Sequence, residues 1–183
     1  MSEYNIVAGN LLVAEPFMDD ENFKRSVVLI TENDHTGTLG LILNRPSIFR
    51  LNEVLPDFPK FDAQVYLGGP IGLDRLNFVH SYNDLIPKSI HIADKLYWNG
   101  DYEALKKAVS AKKILPHNIK FFLGYAGWGV GQLEDEMKER SWIIARNYHN
   151  IFKASQYMWK DVLEKMGGKY KIIANSPEHP SLN

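Results

Sequence analysis

The sequence predicts an α+β fold, with a mainly antiparallel sheet or flattened β-barrel core flanked by helices. Three observations predict it. Short β-rich runs follow one another through the first half of the chain, and sustained helical periodicity begins only near Asp101. The connections between the early strands are too short for the crossovers that a parallel sheet requires. A chain of 183 residues, 45% of them hydrophobic and 23% charged, can bury one substantial core, so a single domain over 1–183 is expected, with an irregular tail over 175–183.

Residues 11–14, 27–31 and 39–43 are aliphatic runs bounded by turn formers, so each reads as a strand, the last two paired around a turn at 33–38. Pro46, Pro56 and Pro59 punctuate the next stretch, leaving room at 51–55 for one helical turn before strands at 64–67, 76–80 and 90–92. Ala104, Leu105, Ala108 and Val109 repeat at helical spacing behind Asp101, a good N-cap, which predicts a helix through 111. Residues 119–123 read as a strand, and 132–140 as a helix laced by Glu134 with Lys138 and Glu136 with Arg140. A strand at 142–145 follows. The last helix carries Met158, Val162, Leu163 and Met166 on one face, with Ser155 as its cap and Gly167-Gly168 as its stop.

Lys and Arg number 21 against 22 Asp and Glu, and the bases are spread along the chain rather than gathered in blocks. Tight binding of a nucleic-acid backbone would need a basic face that only folding could assemble, so direct nucleic-acid binding is not expected. No cysteine is present, which removes disulfides, thiolate metal sites and a cysteine nucleophile. The histidines never stand at the spacing of a helical metal site, and no Gly-x-Ser-x-Gly elbow presents a serine. No metal, cofactor or catalytic residue is therefore expected. The first residues lack a basic region followed by a long apolar run, and no stretch approaches the roughly 20 apolar residues of a membrane span, so cytoplasmic residence is expected.

The segment Gly124-Tyr125-Ala126-Gly127-Trp128-Gly129-Val130-Gly131-Gln132 sets four glycines around an aromatic pair, between a strand and a helix. Such a turn can cradle phosphate on free N–H groups at a helix N-terminus. Here Gln132 or Glu134 occupies the place of the last glycine in a dinucleotide motif, and Glu134, Asp135 and Glu136 would repel an anion. The expected structure is a tight turn whose glycines make room for Tyr125 and Trp128.

Arginine beside turn chemistry is the sharper signal. Arg25 precedes one strand, Asn44-Arg45-Pro46 closes the next, and Gly68-Gly69-Pro70 leads to Asp74-Arg75. Folded together with Tyr125 and Trp128, these residues would form a small-molecule or anion-binding cleft through guanidinium forks; alternatively Asp74 pairs with an arginine as a structural clamp. The candidate ligand-binding set is Arg25, Asn44, Arg45, Gly68, Gly69, Asp74, Arg75, Tyr125 and Trp128.

Taken together, these segments resemble the AlgH/YqgE family of bacterial proteins. The resemblance rests on Gly9-Asn10-Leu11-Leu12-Val13-Ala14 with Pro16, on Phe23-Lys24-Arg25-Ser26-Val27-Val28-Leu29, and on Gly40-Leu41-Ile42-Leu43-Asn44-Arg45-Pro46. It continues through Val65-Tyr66-Leu67-Gly68-Gly69-Pro70, Asp74-Arg75 and the glycine segment as far as Glu134, with Trp142 and the Trp159 helix fitting the later pattern. It implies an α+β domain with a barrel-like β core and carries the label of transcriptional regulator, from a link to alginate production, with no established catalytic or ligand residues. The chain departs from the family pattern at Ala174-Asn175-Ser176-Pro177, where many members end in a Gly-His-Ala-like sequence. Three functions follow in order: a non-catalytic cytosolic protein whose transcriptional effect is indirect, through protein partners; a small-molecule or anion-binding protein or enzyme at the arginine and glycine turns; and a direct DNA-binding regulator. No helix-turn-helix pattern supports the third.

Overall fold

The computed structural model describes residues 4–146, 151–153 and 155–177. In chain order the strands are β1 (Leu11–Ala14), β2 (Val27–Asp34), β3 (Gly37–Ile42), β4 (Pro46–Arg50), β5 (Gln64–Leu67), β6 (Ile71–His80), β7 (Ile90–Ala93), β8 (Leu96–Trp98), β9 (Ile119–Trp128) and β10 (Trp142–Ala145). The helices are α1 (Leu51–Val54), α2 (Tyr102–Ser110), α3 (Gln132–Lys138), α4 (Met158–Met166) and α5 (Lys169–Ala174). Among these residues no helix is long and apolar enough to cross a membrane.

The long strand β9 joins two halves of one sheet. Its C-terminal half pairs with β3, and from there the order runs β3-β2-β1-β10, all antiparallel. Its N-terminal half lies between β5 and β6, with β4 beyond β5 and β8 then β7 beyond β6. Only β5 and β9 run parallel among the described strands. The main path ends at β10 on one side and β7 on the other, so the sheet is open, and the flattened barrel expected from the sequence is corrected to an open antiparallel sheet.

Three apolar clusters fill the spaces the sheet creates. The inner faces of the two halves share the largest, where Leu11, Val27, Leu29 and Leu41 meet Tyr66, Val79, Trp98 and Phe122 under the apolar face of α4. The outer face of the β5-β9-β6 half packs Val65, Phe78 and Phe121 against Leu51 of α1 and Leu105 and Val109 of α2. The outer face of the other half packs Leu12, Val28, Ile30 and Ile42 against Leu133 and Met137 of α3.

The glycine segment is strand rather than turn. β9 continues to Trp128 and only Gly129–Gly131 turns the chain into α3, which corrects the expectation of a strand ending at 123. Phe121 faces the outer cluster and Phe122 the inner one, yet Tyr125 packs inward and Ala126 and Trp128 outward. Strict alternation would put Tyr125 outside. Gly124, at φ +69°, breaks the alternation by one residue and lets a single strand serve both halves with the correct faces.

Asp101 caps α2 as expected, accepting from the Ala104 N–H at 2.9 Å. The expected charge pairs along α3 do not form. Lys138 pairs with Asp135 at 2.7 Å, and the Glu136 carboxylate turns inward. Strands β4 and β8 and helix α5 lack a sequence signal: β4 opens on a proline, β8 has three residues, and α5 follows the two glycines that end α4. Of the expected tail, 178–183 lie outside the described residues.

Candidate functional site

The structure divides the candidate residues into three groups. Arg25, Asn44 and Arg45 form the first. Arg25 stands at φ +51° just before β2, and its carbonyl accepts from Asn44 Nδ2 at 2.9 Å while Asn44 Oδ1 accepts the Val27 N–H at 2.9 Å. The Arg25 guanidinium lies over the Trp159 ring at 4.6 Å and donates to the Ser176 carbonyl at 2.6 Å, tying the C-terminal segment to the sheet. Arg45 donates to the carbonyls of Glu21 and Lys24, at 2.9 and 3.2 Å. Burial lowers its pKa, against the opposing pull of Asp20 and Glu21. These guanidinium bonds of Arg25 and Arg45 go to backbone oxygens, which fixes loops.

Gly68, Gly69, Asp74, Arg75 and Tyr125 form the second group, where the chain passes from β5 over β9 to β6. Gly68 bridges strands, donating its N–H to Leu123 and accepting from Ile42, both at 2.8 Å. The pairing of β6 with β9 jumps from Ile71↔Tyr125 to Leu76↔Leu123, and the excess residues bulge out. Asp74 and Arg75 ride on this bulge, exposed, and among the described residues neither forms an ion pair. The expected clamp through Asp74 is therefore absent there. Tyr125 is half-buried against Gly72 of the same bulge.

Trp128 stands apart from both groups, on the outer face beneath α3. Its indole N–H donates to Glu136 Oε2 at 2.9 Å, and the Trp142 indole donates to the same oxygen at 2.7 Å. Gln132 Nε2 takes the other carboxylate oxygen at 3.1 Å. Phe23 stacks on Trp128 with ring centroids 5.8 Å apart and meets Trp142 edge-on at 5.5 Å. These groups wall a cleft of about 400 Å³ whose mouth carries Glu15, Asp19, Asp20 and Phe17. Among the described residues no lysine or arginine lines it, so its chemistry suits a cation, unlike the anion expected at the arginines.

The family model described as DUF179, AlgH-like, matches residues 11–171. The chain belongs to the AlgH/UPF0301 family. The UPF0301 protein of Cytophaga hutchinsonii is 42% identical over 181 residues, spanning 97% of this chain and 100% of the relative. That of Chlorobium limicola is 41% identical over 177 residues, spanning 96% and 95%. The solution structure of the AlgH protein from Pseudomonas aeruginosa is similar at a TM-score of 0.74 and 27% identity, covering 98% of each chain. A crystal structure of a Corynebacterium diphtheriae protein reaches 0.75 at 23% identity, covering 96% of this chain and 95% of that one, and supports the fold alone. None of these names states a ligand or a reaction.

Two buried polar centres of this AlgH-like chain lie outside the candidate ligand-binding set. His80 is fully buried, with Nδ1 accepting the Tyr82 N–H at 3.2 Å, so Nε2 carries the proton and donates to the Asn99 carbonyl at 2.8 Å. Ser89 Oγ lies 3.1 Å from that nitrogen, but its one proton goes to the Ile86 carbonyl at 2.6 Å, with the Asn99 carbonyl 2.9 Å away. The nitrogen facing the hydroxyl has no free lone pair, so this serine–histidine contact is a clamp and not a nucleophile with its base. Burial lowers the His80 pKa and keeps the ring neutral. Asn99 continues the network to Asn77, and Asn77 Nδ2 donates to the Gly124 carbonyl at 3.3 Å.

The second centre is Lys120, on the inner face of β9 and 3% exposed. Its ammonium donates to the Leu43 carbonyl at 2.7 Å and lies 3.9 Å from the Tyr66 ring centroid. Burial pushes its pKa down to about 7. The sequence signal for Lys120 was a single base inside an apolar run, and its partners come from distant strands. Among the described residues no group of three or more His, Asp or Glu side chains is placed to hold a metal.

Proposed function

We propose that this protein is a non-catalytic, cytosolic binding protein that acts through a protein partner, so that its effect on transcription is indirect. The observation that carries this reading is how the polar side chains are spent. Arg25, Asn44 and Arg45 hold backbone groups of neighbouring loops, His80 serves as a neutral donor, and Lys120 holds a carbonyl inside the core. Left open are sheet edges and apolar side chains beside them, such as Ile48 on β4, at 89% exposed, and Leu73 on the β6 bulge. Such features recognise another chain rather than transform a small molecule.

A photo-cross-linking residue placed in turn at the exposed positions Ile48, Arg75 and Arg140, with the protein expressed in a bacterium of its own kind, tests this. Discrete heavier adducts from one face are expected. Absence of protein adducts at all positions, with a metabolite retained in native mass spectrometry, would overturn the reading.

A second reading is favoured by the Trp128 cleft. A carboxylate held by two indoles within an aromatic wall is the chemistry that receives a small organic cation. Titration with tetramethylammonium should quench or shift tryptophan fluorescence in a saturable way, and a linear response would dismiss it.

A further inference from the structure

Strand β10 is an edge of the sheet, and among the described residues it pairs only with β1. Along β1 the backbone groups alternate between neighbours: the Ala14 N–H goes to Ser26 of the β2 side, and the Glu15 N–H to Ser141 of the β10 side, both at 3.0 Å. In the register Val13↔Ile143 and Leu12↔Ile144, Ile143 turns its N–H and C=O towards β1 and Ile144 turns its own away from the sheet, as does Trp142. Among the described residues the outer edge of β10 thus offers backbone donors and acceptors that no other strand takes up.

A groove of about 950 Å³ runs along this edge, with Met137 and Lys138 of α3 on one flank and Lys169, Tyr170 and Ile173 of α5 on the other. Ile143 packs into the inner cluster and Ile144 into that under α3, so the groove straddles the edge instead of covering one face. Among the described residues its charge is mainly basic: Arg140, Arg146 and Lys169 line it with Lys138, which pairs with Asp135, beside one carboxylate, Glu15.

We infer that the β10 groove docks an extended acidic segment of a protein partner, which adds to the sheet as a further strand. The inference rests on the partner reading above and names that partner's chemistry. Outward N–H and C=O groups match the ladder of a peptide backbone, and alternate side chains of an added strand would face the two apolar flanks. The basic rim selects acidic side chains and speeds encounter. A nucleic acid would use the bases and leave the strand's donors and acceptors and the isoleucines without partners.

The test is fluorescence anisotropy with a labelled peptide of about eight residues alternating Glu and Val, a length that matches common strands. The expected result is saturable binding, weakened about tenfold or more by Arg140→Glu with Arg146→Glu and abolished by N-methylation of alternate peptide amides. Both substituted residues are exposed, so the variant keeps its fold, and an unchanged melting temperature verifies that. The amide resonances of Trp142 and Ile144 should shift on titration. Equal binding of a Lys–Val peptide, equal binding of the N-methylated peptide, an unaffected double variant, or stronger binding of a single-stranded oligonucleotide would each overturn the inference. If the peptide fails while photo-cross-links to a protein still form, the groove assignment falls and the partner reading stands.

Discussion

Gly69 and Gly124 meet where the chain crosses β9: the Gly69 carbonyl oxygen stands 2.6 Å from the position a Cβ on Gly124 would take. The Ile71 carbonyl oxygen lies 2.8 Å from the same point, and both obstacles are backbone. Gly124→Ala must therefore move the crossing as well as strain a left-handed residue, and a loss of about 2–4 kcal/mol in urea unfolding is expected. Gly131, at φ +78° with nothing within 4 Å of its Cβ position, provides the comparison. Gly131→Ala should cost only about 1–2 kcal/mol, the conformational part alone. Equal losses would show that the crossing has room to yield.

Glu136 holds two indole N–H groups on one oxygen. Glu136→Gln keeps an acceptor but loses the charge assistance, so a loss of about 1–2 kcal/mol is expected. Glu136→Ala leaves both indoles without that partner and should cost about 2–4 kcal/mol, with both indole N–H resonances moving. Unmoved indole resonances in Glu136→Ala would contradict the geometry.

Lys120 makes stability depend on pH in a defined direction. The folded chain releases its proton near pH 7, whereas the unfolded chain keeps it to about 10.4. The unfolded state binds more protons between those values, so this lysine's contribution to stability rises with pH across the window and is at its most unfavourable below it. Relative to Lys120→Met, the parent protein should gain at most about 1.4 kcal/mol per pH unit from pH 7 towards 10. A flat difference between the two proteins across that range would show that Lys120 stays charged in the fold.

Arg25 links the last described residues to the sheet. Arg25→Met removes the bond to the Ser176 carbonyl and the charge over Trp159, so amide exchange at 174–176 should accelerate while β2 and β3 remain protected. Asn44→Ala acts differently, because it strips partners from both the Val27 N–H and the Arg25 carbonyl. It should destabilise the whole fold by about 1–3 kcal/mol, read by thermal unfolding.

The strands at 27–31, 64–67 and 142–145, the Asp101 cap and the apolar face of α4 were legible because their signals are local: alternation, helical spacing and turn residues within a few positions. The AlgH-like character was legible too, since the order of its motifs survives without knowledge of their contacts. Strand β8 was not, because three residues carry too little pattern. Nor was the continuation of β9 through the glycines, since a run of glycines ordinarily signals a turn.

The amino-acid sequence alone determined the α+β class, most elements, the absence of cysteine chemistry and the family. Only the tertiary structure decided that the sheet stays open, that the candidate residues part into three groups, and that Glu136 serves two indoles instead of Arg140. The physical reason is range. Periodicity and capping act between near neighbours, whereas the partner of Arg25 is Ser176 and that of Lys120 is Leu43, contacts that exist only once distant strands have packed.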